Sequence, residues 1–347
     1  MKIQVNAKNR THNFESSEND LILLAGLCNA IDLPYECSTG TCGTCKAKLL
    51  EGEIDDKWPQ APGKKLLKTD AGEFLMCQCT PKNDCTIEVN NVVPTMDAGA
   101  CKPARFSGII AHSKMLTGDV IFLEIETDIP QDFDAGQFIV VATPNIPGYR
   151  GYSMVNFDRK TKKIEFVVKK KPGGGFSEWL FNSKVDGTRL DMVGPLGKAT
   201  FYPALAKNIL CIAGGSGIAG MMSIFSRACQ ENYFRQYQGS MFFGVRTLKD
   251  AFFLEELTKF KNAFPDSVRI VIALSDEEVP TSSKNDWPAL DFDKGFVHDV
   301  AGRHMQGKYQ NIRAYLAGPP PAVDGALRML IIQAKLTTDN ICYDKFS

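Results

Sequence analysis

The sequence predicts a multidomain protein of the α+β class, with a small cysteine-bearing module of strands and a helix first, an antiparallel β-barrel next and a parallel α/β sheet last. Three observations predict it. The chain has 347 residues, too many for one ordinary hydrophobic core. Near residue 105 the pattern changes to short alternating strands punctuated by glycine and proline. Near residue 206 it changes again, to apolar strands separated by helix-like stretches. The expected modules are therefore residues 1–95, a linker at 96–103, residues 104–204 and residues 205–347.

In the first module an alternating segment precedes NDLILLAGLCNAIDLP. There Leu21, Leu24, Ala25 and Cys28 recur at helical spacing, Asp20 stands near the start, and Pro34 ends the run. A cysteine-rich loop follows, then the strand-like KAKLL and CTIEVNNVV. From Pro94 to Pro103 there is Pro, Gly and Ala without periodicity, the texture of a linker. FSGIIAHS, DVIFLEIET, QFIVVATP and KIEFVVKKK supply the barrel strands. NILCIAG, GSMFFGV, VRIVIAL and IRAYLAG supply a parallel sheet with helices on both faces. The 19 residues from Asn208 to Ser226 carry no charge, but central glycines and interrupting serines make them a buried strand, turn and helix, not a membrane span.

Composition narrows the function. Hydrophobic residues make up 44% of the chain, and 40 basic side chains balance 40 acidic ones, which argues against nucleic acid as a partner. The opening residues MKIQVNAKNR lack the apolar stretch of a secretory signal, so the expected location is cytoplasmic. Eleven cysteines at uneven spacing do not form a disulfide framework.

Three of those cysteines fall in CSTGTCGTC: Cys37, Cys42 and Cys45, spaced C-x4-C-x2-C, with Cys77 following 32 positions after Cys45 in FLMCQCTP. This is the ligand spacing of a plant-type 2Fe-2S cluster. The intervening residues are small because the loop must bend around the cluster, which Gly40 and Gly43 permit, while N–H and hydroxyl groups donate to its sulfurs. A four-thiolate zinc site is the alternative, but zinc ribbons use two short cysteine pairs, and here the far side offers Cys77 and Cys79 with one residue between. PYECSTGTCGTCKAKLLEGEI followed by LMCQC closely resembles the β-grasp ferredoxin module of the NADH-dependent reductase components of multicomponent oxygenases, such as those of xylene monooxygenase, benzoate dioxygenase and naphthalene dioxygenase. In that family the first cysteine of the CQ pair is the fourth ligand, which implies Cys77 rather than Cys79.

Arg150-Gly151-Tyr152-Ser153 starts a strand after the loop PNIPGY, and KPGGGFSEWL lies some twenty residues on. A run of glycines ahead of a helix aims N–H groups at phosphate. Together the two resemble the R-x-Y-S and G-G-x-x-S elements of the ferredoxin-NADP reductase superfamily, whose flavin domain is a six-stranded antiparallel barrel. The resemblance implies FAD rather than FMN. It gives Arg150 the flavin nucleotide phosphates, Tyr152 the isoalloxazine face and Ser153 a hydrogen bond near N5, with Tyr152 and Ser153 at the catalytic position; Gly174, Gly175 and Ser177 hold the pyrophosphate. VGPLGKATF matches the segment closing that domain.

GSGIAG, residues 215–220, follows a strand, but the next strand ends in Arg246 where an NAD-type Rossmann fold wants an acid. AGGSGIAG, FGVRTLKDAFFLEEL and YLAGPPPAVD resemble the reductase family's own nicotinamide elements in order. Gly215, Gly217 and Ile218 then approach the pyrophosphate, Arg246 and Asp250 flank the adenosine ribose, and Gly318 and Pro319 lie beside the nicotinamide. Ser216 stands for Thr, Gly220 for the usual Pro, loosening the turn, and Ala317 for the usual Cys. NADH is the expected donor because Asp250 repels an added phosphate, although Arg246 leaves NADPH open. The terminal aromatics Tyr343 and Phe346 either pack an edge or, for Phe346, cover the flavin.

The expected function is electron transfer from NADH through FAD and the cluster to a terminal oxygenase or hydroxylase component or an intermediate ferredoxin, in aromatic hydrocarbon catabolism. A flavin converts a two-electron hydride into single electrons. With four histidines and no Rieske or facial-triad spacing, the chain is not the oxygenase. A non-oxygenase acceptor, such as a sugar-deoxygenating enzyme, and a zinc-stabilised binding protein are the alternatives. Residues 1–95 hold 10 basic and 13 acidic side chains, a net −3, which suggests a basic patch on the partner.

Overall fold

The computed structural model describes residues 1–143 and 146–345. Its contacts divide into two compact units. One holds residues 1–108, 138–152 and 189–196; the other holds 109–137, 153–188 and the chain from Gly197 onward.

The first unit begins with β1 (Lys2–Ala7), β2 (Thr11–Glu15), α1 (Ile22–Cys28), β3 (Lys46–Glu51), β4 (Ile54–Asp56), β5 (Glu73–Leu75), β6 (Cys79–Pro81) and β7 (Cys85–Val89). Five of these strands form a mixed sheet ordered β2-β1-β7-β3-β5, with β1 parallel to β7, and β4 and β6 form a separate ribbon. Alternation does what period two requires: Ile3 and Val5 point into the core, as do His12 and Phe14. The helix is less one-sided than its spacing suggests. Every residue from Ile22 to Leu27 is buried, and a Cβ on Gly26 would lie 2.4 Å from Leu33 Cδ1. It ends at Cys28, well before Pro34, where Asn29 donates its side-chain amide to Ala25 O at 2.9 Å. The segment 96–103 contains no helix or strand.

A second six-stranded sheet uses β8 (Ala104–Met115), β9 (Val120–Gln131), β10 (Phe138–Thr143), β11 (Ile146–Ser153), β12 (Thr161–Lys169) and β13 (Arg189–Leu196), with α2 (Gly175–Asn182) before the last strand. The order is β11-β10-β13-β8-β9-β12, and the β10/β13 and β9/β12 pairs are antiparallel. Arg150 to Ser153 close a strand rather than begin one. Within the first unit Phe138, Val140, Val193 and Leu196 belong to the same hydrophobic core as Ile3, Leu23, Leu75 and Ile87.

The second unit carries β14 (Asn208–Gly214), α3 (Ile218–Gln230), β15 (Gly239–Val245), α4 (Leu254–Ala263), β16 (Val268–Leu274), α5 (Ser283–Asp286), β17 (Asp291–Lys294), α6 (Val297–Met305), β18 (Ile312–Gly318), α7 (Pro320–Arg328) and β19 (Ile341–Lys345). The strands run parallel in the order β17-β16-β15-β14-β18-β19. Burial on both faces explains why β14, β16 and β18 read as nearly continuous apolar runs. The uncharged stretch at 208–226 is β14, a 3-10 turn and most of α3; among the described residues no helix is long and apolar enough to cross a membrane. Strand order reverses between β14 and β18, and ligands of such sheets bind at the carboxyl ends of the strands at that switch.

Candidate functional site

The cysteine loop joins α1 to β3. Gly40 and Gly43 take φ of +85° and +78°, a region open to glycine and strained for other residues. Gly63, from the turn Pro62–Leu66, locks the bend: its N–H donates to Gly40 O at 2.9 Å, and a Cβ there would lie 2.9 Å from both Gly40 O and Gly43 N. Sequence reasoning missed Gly63, because nothing near APGKK signals contact with a loop twenty residues earlier.

The four expected ligands come together as two couples, Cys37 with Cys42 and Cys45 with Cys77, each close enough for one thiol to shift the other, with Cys42 also close enough to Cys45 to act on its charge. The Cys42 thiol, the Thr41 hydroxyl and the N–H groups of Thr39 and Cys42 hold Cys37 down to about 4. Both N–H groups lie 3.4 Å from its sulfur. Hydrogen bonding to Cys37, with burial, pushes Cys42 up, and the bond to Cys77, with burial, pushes Cys45 far up. Gln78 Nε2 stands 3.5 Å from the Cys77 sulfur. Cys79 makes no such couple: it is buried in β6, where loss of water pushes its thiol up to about 12. Among the described residues no three His, Cys, Asp or Glu side chains gather closely enough to hold one metal ion. Two couples along a loop suit a centre of two irons, each taking two thiolates.

The loop also fits such a group in its other atoms. Ser38 is 1% exposed, and its hydroxyl has no hydrogen-bond partner in the protein, leaving a buried donor for a non-protein acceptor. The segment Lys57–Lys68 carries four lysines and no carboxylate, two of them paired with Asp55 and Asp56, and its Leu66 lies against Gly43.

Arg150 and Tyr152 fall in the first unit with the cysteines, and Ser153 in the second. Gly151 sits where its Cβ would be 3.6 Å from Cys37 O, so the strand carrying the flavin signature touches the cluster loop through backbone. Glycine inside a strand marks such an approach, a signal present in the sequence and not used there. Arg150 Nη1 donates to Gly148 O at 2.7 Å and Ile146 O at 3.3 Å. Burial pushes the Tyr152 phenol well up, so it stays neutral.

In the second unit the Ser177 hydroxyl clasps its own loop. It accepts from Lys171 N at 3.0 Å and lies 3.1 Å from Gly174 O. A Cβ on Gly174 would meet that hydroxyl at 2.8 Å. Ser177 shapes the glycine loop ahead of α2, and Gly175 opens the helix. At the carboxyl end of β14, Gly215 has φ +54° and open space around its Cα. Gly217 has the reverse: a Cβ would lie 2.4 Å from Ala317 O. Gly318, φ +141°, packs against Gly214, whose own Cβ position is 3.2 Å from Pro319. The residues read from the first and last nicotinamide elements thus meet backbone to backbone at the switch point. Ile218 is fully buried, so only its backbone is free to meet a ligand. Gly220 lies inside α3, not in a turn, and 3.6 Å separates its Cβ position from Ser153 Cβ; it loosens no turn. Arg246 follows β15 and Asp250 caps the next turn, accepting from Thr247 N–H and Oγ1, both at 3.0 Å. Tyr343 lies on the edge strand β19, and Phe346 lies outside the described residues.

Residues 5–82 match the 2Fe-2S iron-sulfur cluster binding domain, residues 108–201 the oxidoreductase FAD-binding domain and residues 211–327 the oxidoreductase NAD-binding domain. Fold and site therefore define an iron–sulfur flavoprotein that takes electrons from reduced nicotinamide. The ferredoxin–NAD(P)(+) reductase CarAd of Metapseudomonas resinovorans is 33% identical over 94% of each chain. The ferredoxin–NAD(+) reductase component of the alkene monooxygenase system of Xanthobacter autotrophicus is 31% identical over 97% of this chain and 99% of its own. The solved ferredoxin reductase in carbazole 1,9a-dioxygenase superposes with a TM-score of 0.84 at 31% identity, covering 100% of this chain and 99% of its own. The chain belongs to the family of ferredoxin–NAD(P)(+) reductase components of multicomponent oxygenases, carrying electrons from NADH through FAD and a 2Fe-2S cluster.

Proposed function

We propose that this reductase delivers its electrons to the ferredoxin of an oxygenase system in the cytoplasm, with Cys37, Cys42, Cys45 and Cys77 as the four ligands of its cluster. The pairing of Cys37 with Cys42 and of Cys45 with Cys77, beside a flavin-signature strand whose Gly151 lies against the Cys37 backbone, is the observation that carries this reading. A ferredoxin acceptor, rather than the oxygenase itself, is favoured because the two relatives compared above bear ferredoxin reductase names. The aromatic nature of the final substrate and a non-oxygenase acceptor are distinguished by which partner supports turnover.

FAD held by these residues would supply the chemistry that turns a two-electron hydride into single electrons. The chain's residues prepare that site: Arg150 offers a guanidinium to the flavin phosphates, Tyr152 a neutral ring for its face, and Ser153 a hydroxyl, buried and next to α3. Gly174 and Gly175 open the loop that Ser177 holds. Gly215, Gly217 and Ile218 present backbone to the dinucleotide, with Gly318 and Pro319 opposite and Arg246 and Asp250 at the ribose end. Cys77→Ser is expected to remove the cluster's visible bands and the paramagnetic signal of the reduced protein while NADH still bleaches the flavin. Cys79→Ala is expected to keep both. Equal cluster loss in the two variants overturns the ligand assignment.

A further inference from the structure

We propose that Asp119, in the turn between β8 and β9, is a positioning residue that makes the protein choose NADH over NADPH by occupying the guanidinium of Arg246. The inference rests on Arg246 facing the adenosine ribose, as its place directly after β15 implies, since the residue at the end of the second strand of such a sheet meets that ribose.

An arginine at that position, unpaired, would select for a 2′-phosphate, which its planar fork suits. Here it is paired twice. Arg246 Nη2 lies 3.7 Å from Asp119 Oδ2 and 3.5 Å from Asp250 Oδ1. The surroundings hold further charge of both signs: Lys169 Nζ stands 3.3 Å from the same Asp119 oxygen, and the Glu277 carboxylate accepts from Leu248 N–H. Lys249 is exposed beside them. A dianionic phosphate approaching Arg246 would sit beside two carboxylates that already face its Nη2. A ribose hydroxyl carries no charge and can donate to either carboxylate. Selectivity thus comes from an unfavourable arrangement for the wrong cofactor, not from a special contact with the right one.

The two acids are not equivalent. Asp250 also caps its turn through Oδ2, so its loss would disturb the backbone after β15. Asp119 is held by its own turn, with Thr117 Oγ1 donating to Oδ1 at 3.0 Å, a bond that an asparagine oxygen can still accept. Asp119→Asn therefore removes a charge and keeps the shape. The barrel turn, 127 positions before Arg246, completes a recognition element that motif reading confines to residues 246–250.

The test is steady-state oxidation of NADH and NADPH by the full-length holoprotein with ferricyanide as acceptor. The wild type is expected to prefer NADH. In Asp119→Asn the ratio of kcat/KM for NADPH to that for NADH should rise about fivefold, the effect of one exposed ion pair. Asp119→Glu should restore the original ratio, and the gain should vanish when Arg246→Ala is added. An unchanged ratio in Asp119→Asn with full FAD content overturns the proposal, as does a gain that persists without Arg246. A wild type indifferent between the two cofactors instead defeats the NADH reading beneath it, and it does so before any variant is made.

Discussion

Two glycines three residues apart in the nicotinamide loop have opposite roles, and side-chain identity alone does not separate them. Gly217 has a carbonyl oxygen 2.4 Å from where a Cβ would go, and that oxygen belongs to the backbone of β18, which cannot swing aside. Gly220 has nothing closer than 3.6 Å and sits in the first turn of a helix. Gly217→Ala should cost about 1–3 kcal/mol of stability from overpacking and raise the KM for NADH at least tenfold, with flavin and cluster spectra intact. Gly220→Ala should be neutral or stabilise by about 0.5–1 kcal/mol, as alanine does within a helix. Thermal melts and NADH titrations of the two proteins check the pair; similar behaviour in both would refute the distinction. The sequence shows both as members of one G-x-G-x-x-G run. Which of them is pressed against backbone depends on β18, nearly a hundred residues later, and no local pattern carries that information.

At the scale of elements, the loop before α2 shows a polar residue shaping the backbone of a glycine loop. The Ser177 hydroxyl accepts from Lys171 N–H and lies beside the carbonyls of Lys171 and Gly174. Ser177→Ala removes a part-buried hydrogen bond to the backbone of the exposed Lys171, a cost of about 0.5–1.5 kcal/mol. The expected result is FAD held about tenfold more weakly, measured by flavin fluorescence on dilution, with the cluster spectrum unaffected. FAD affinity equal to wild type would show that the clasp is not needed. Elements themselves were largely legible from the sequence. Strong alternation gave β1, β2, β9 and β12, and apolar runs between glycines gave the parallel strands. The reading erred where tertiary packing overrides local signs, as in α1, which is buried all round because Leu33 and the sheet cover the face that period 3.6 leaves open.

At the scale of the whole molecule, the hydrophobic core of the first unit draws on strands far apart in the chain. Contacts group β10 and β13 with the ferredoxin-like residues and β9 and β12 with the nucleotide-binding ones. Domain texture reflects which strands are consecutive, whereas a core is built by whichever side chains meet. In the first unit Leu196, fully buried, packs in the core that also holds Cys45 and Cys77. Leu196→Ala should therefore cost about 2–5 kcal/mol and lower the temperature at which the iron–sulfur colour bleaches, although the residue lies in a barrel strand. Monitoring cluster absorbance and flavin release in one melt tests this: an unaltered bleaching midpoint would mean the two regions do not share a core.

The meeting of Gly214, Gly217 and Gly318 at the strand switch has a practical corollary for genetics. Alanine scanning assumes that every change is a deletion, but at these three positions it is an insertion, and the instrument reads backwards. A library built only from truncations would map the cysteines, Arg246 and Ser177 and leave the dinucleotide cradle blank. Its authors would conclude that the busiest corner of the protein is inert.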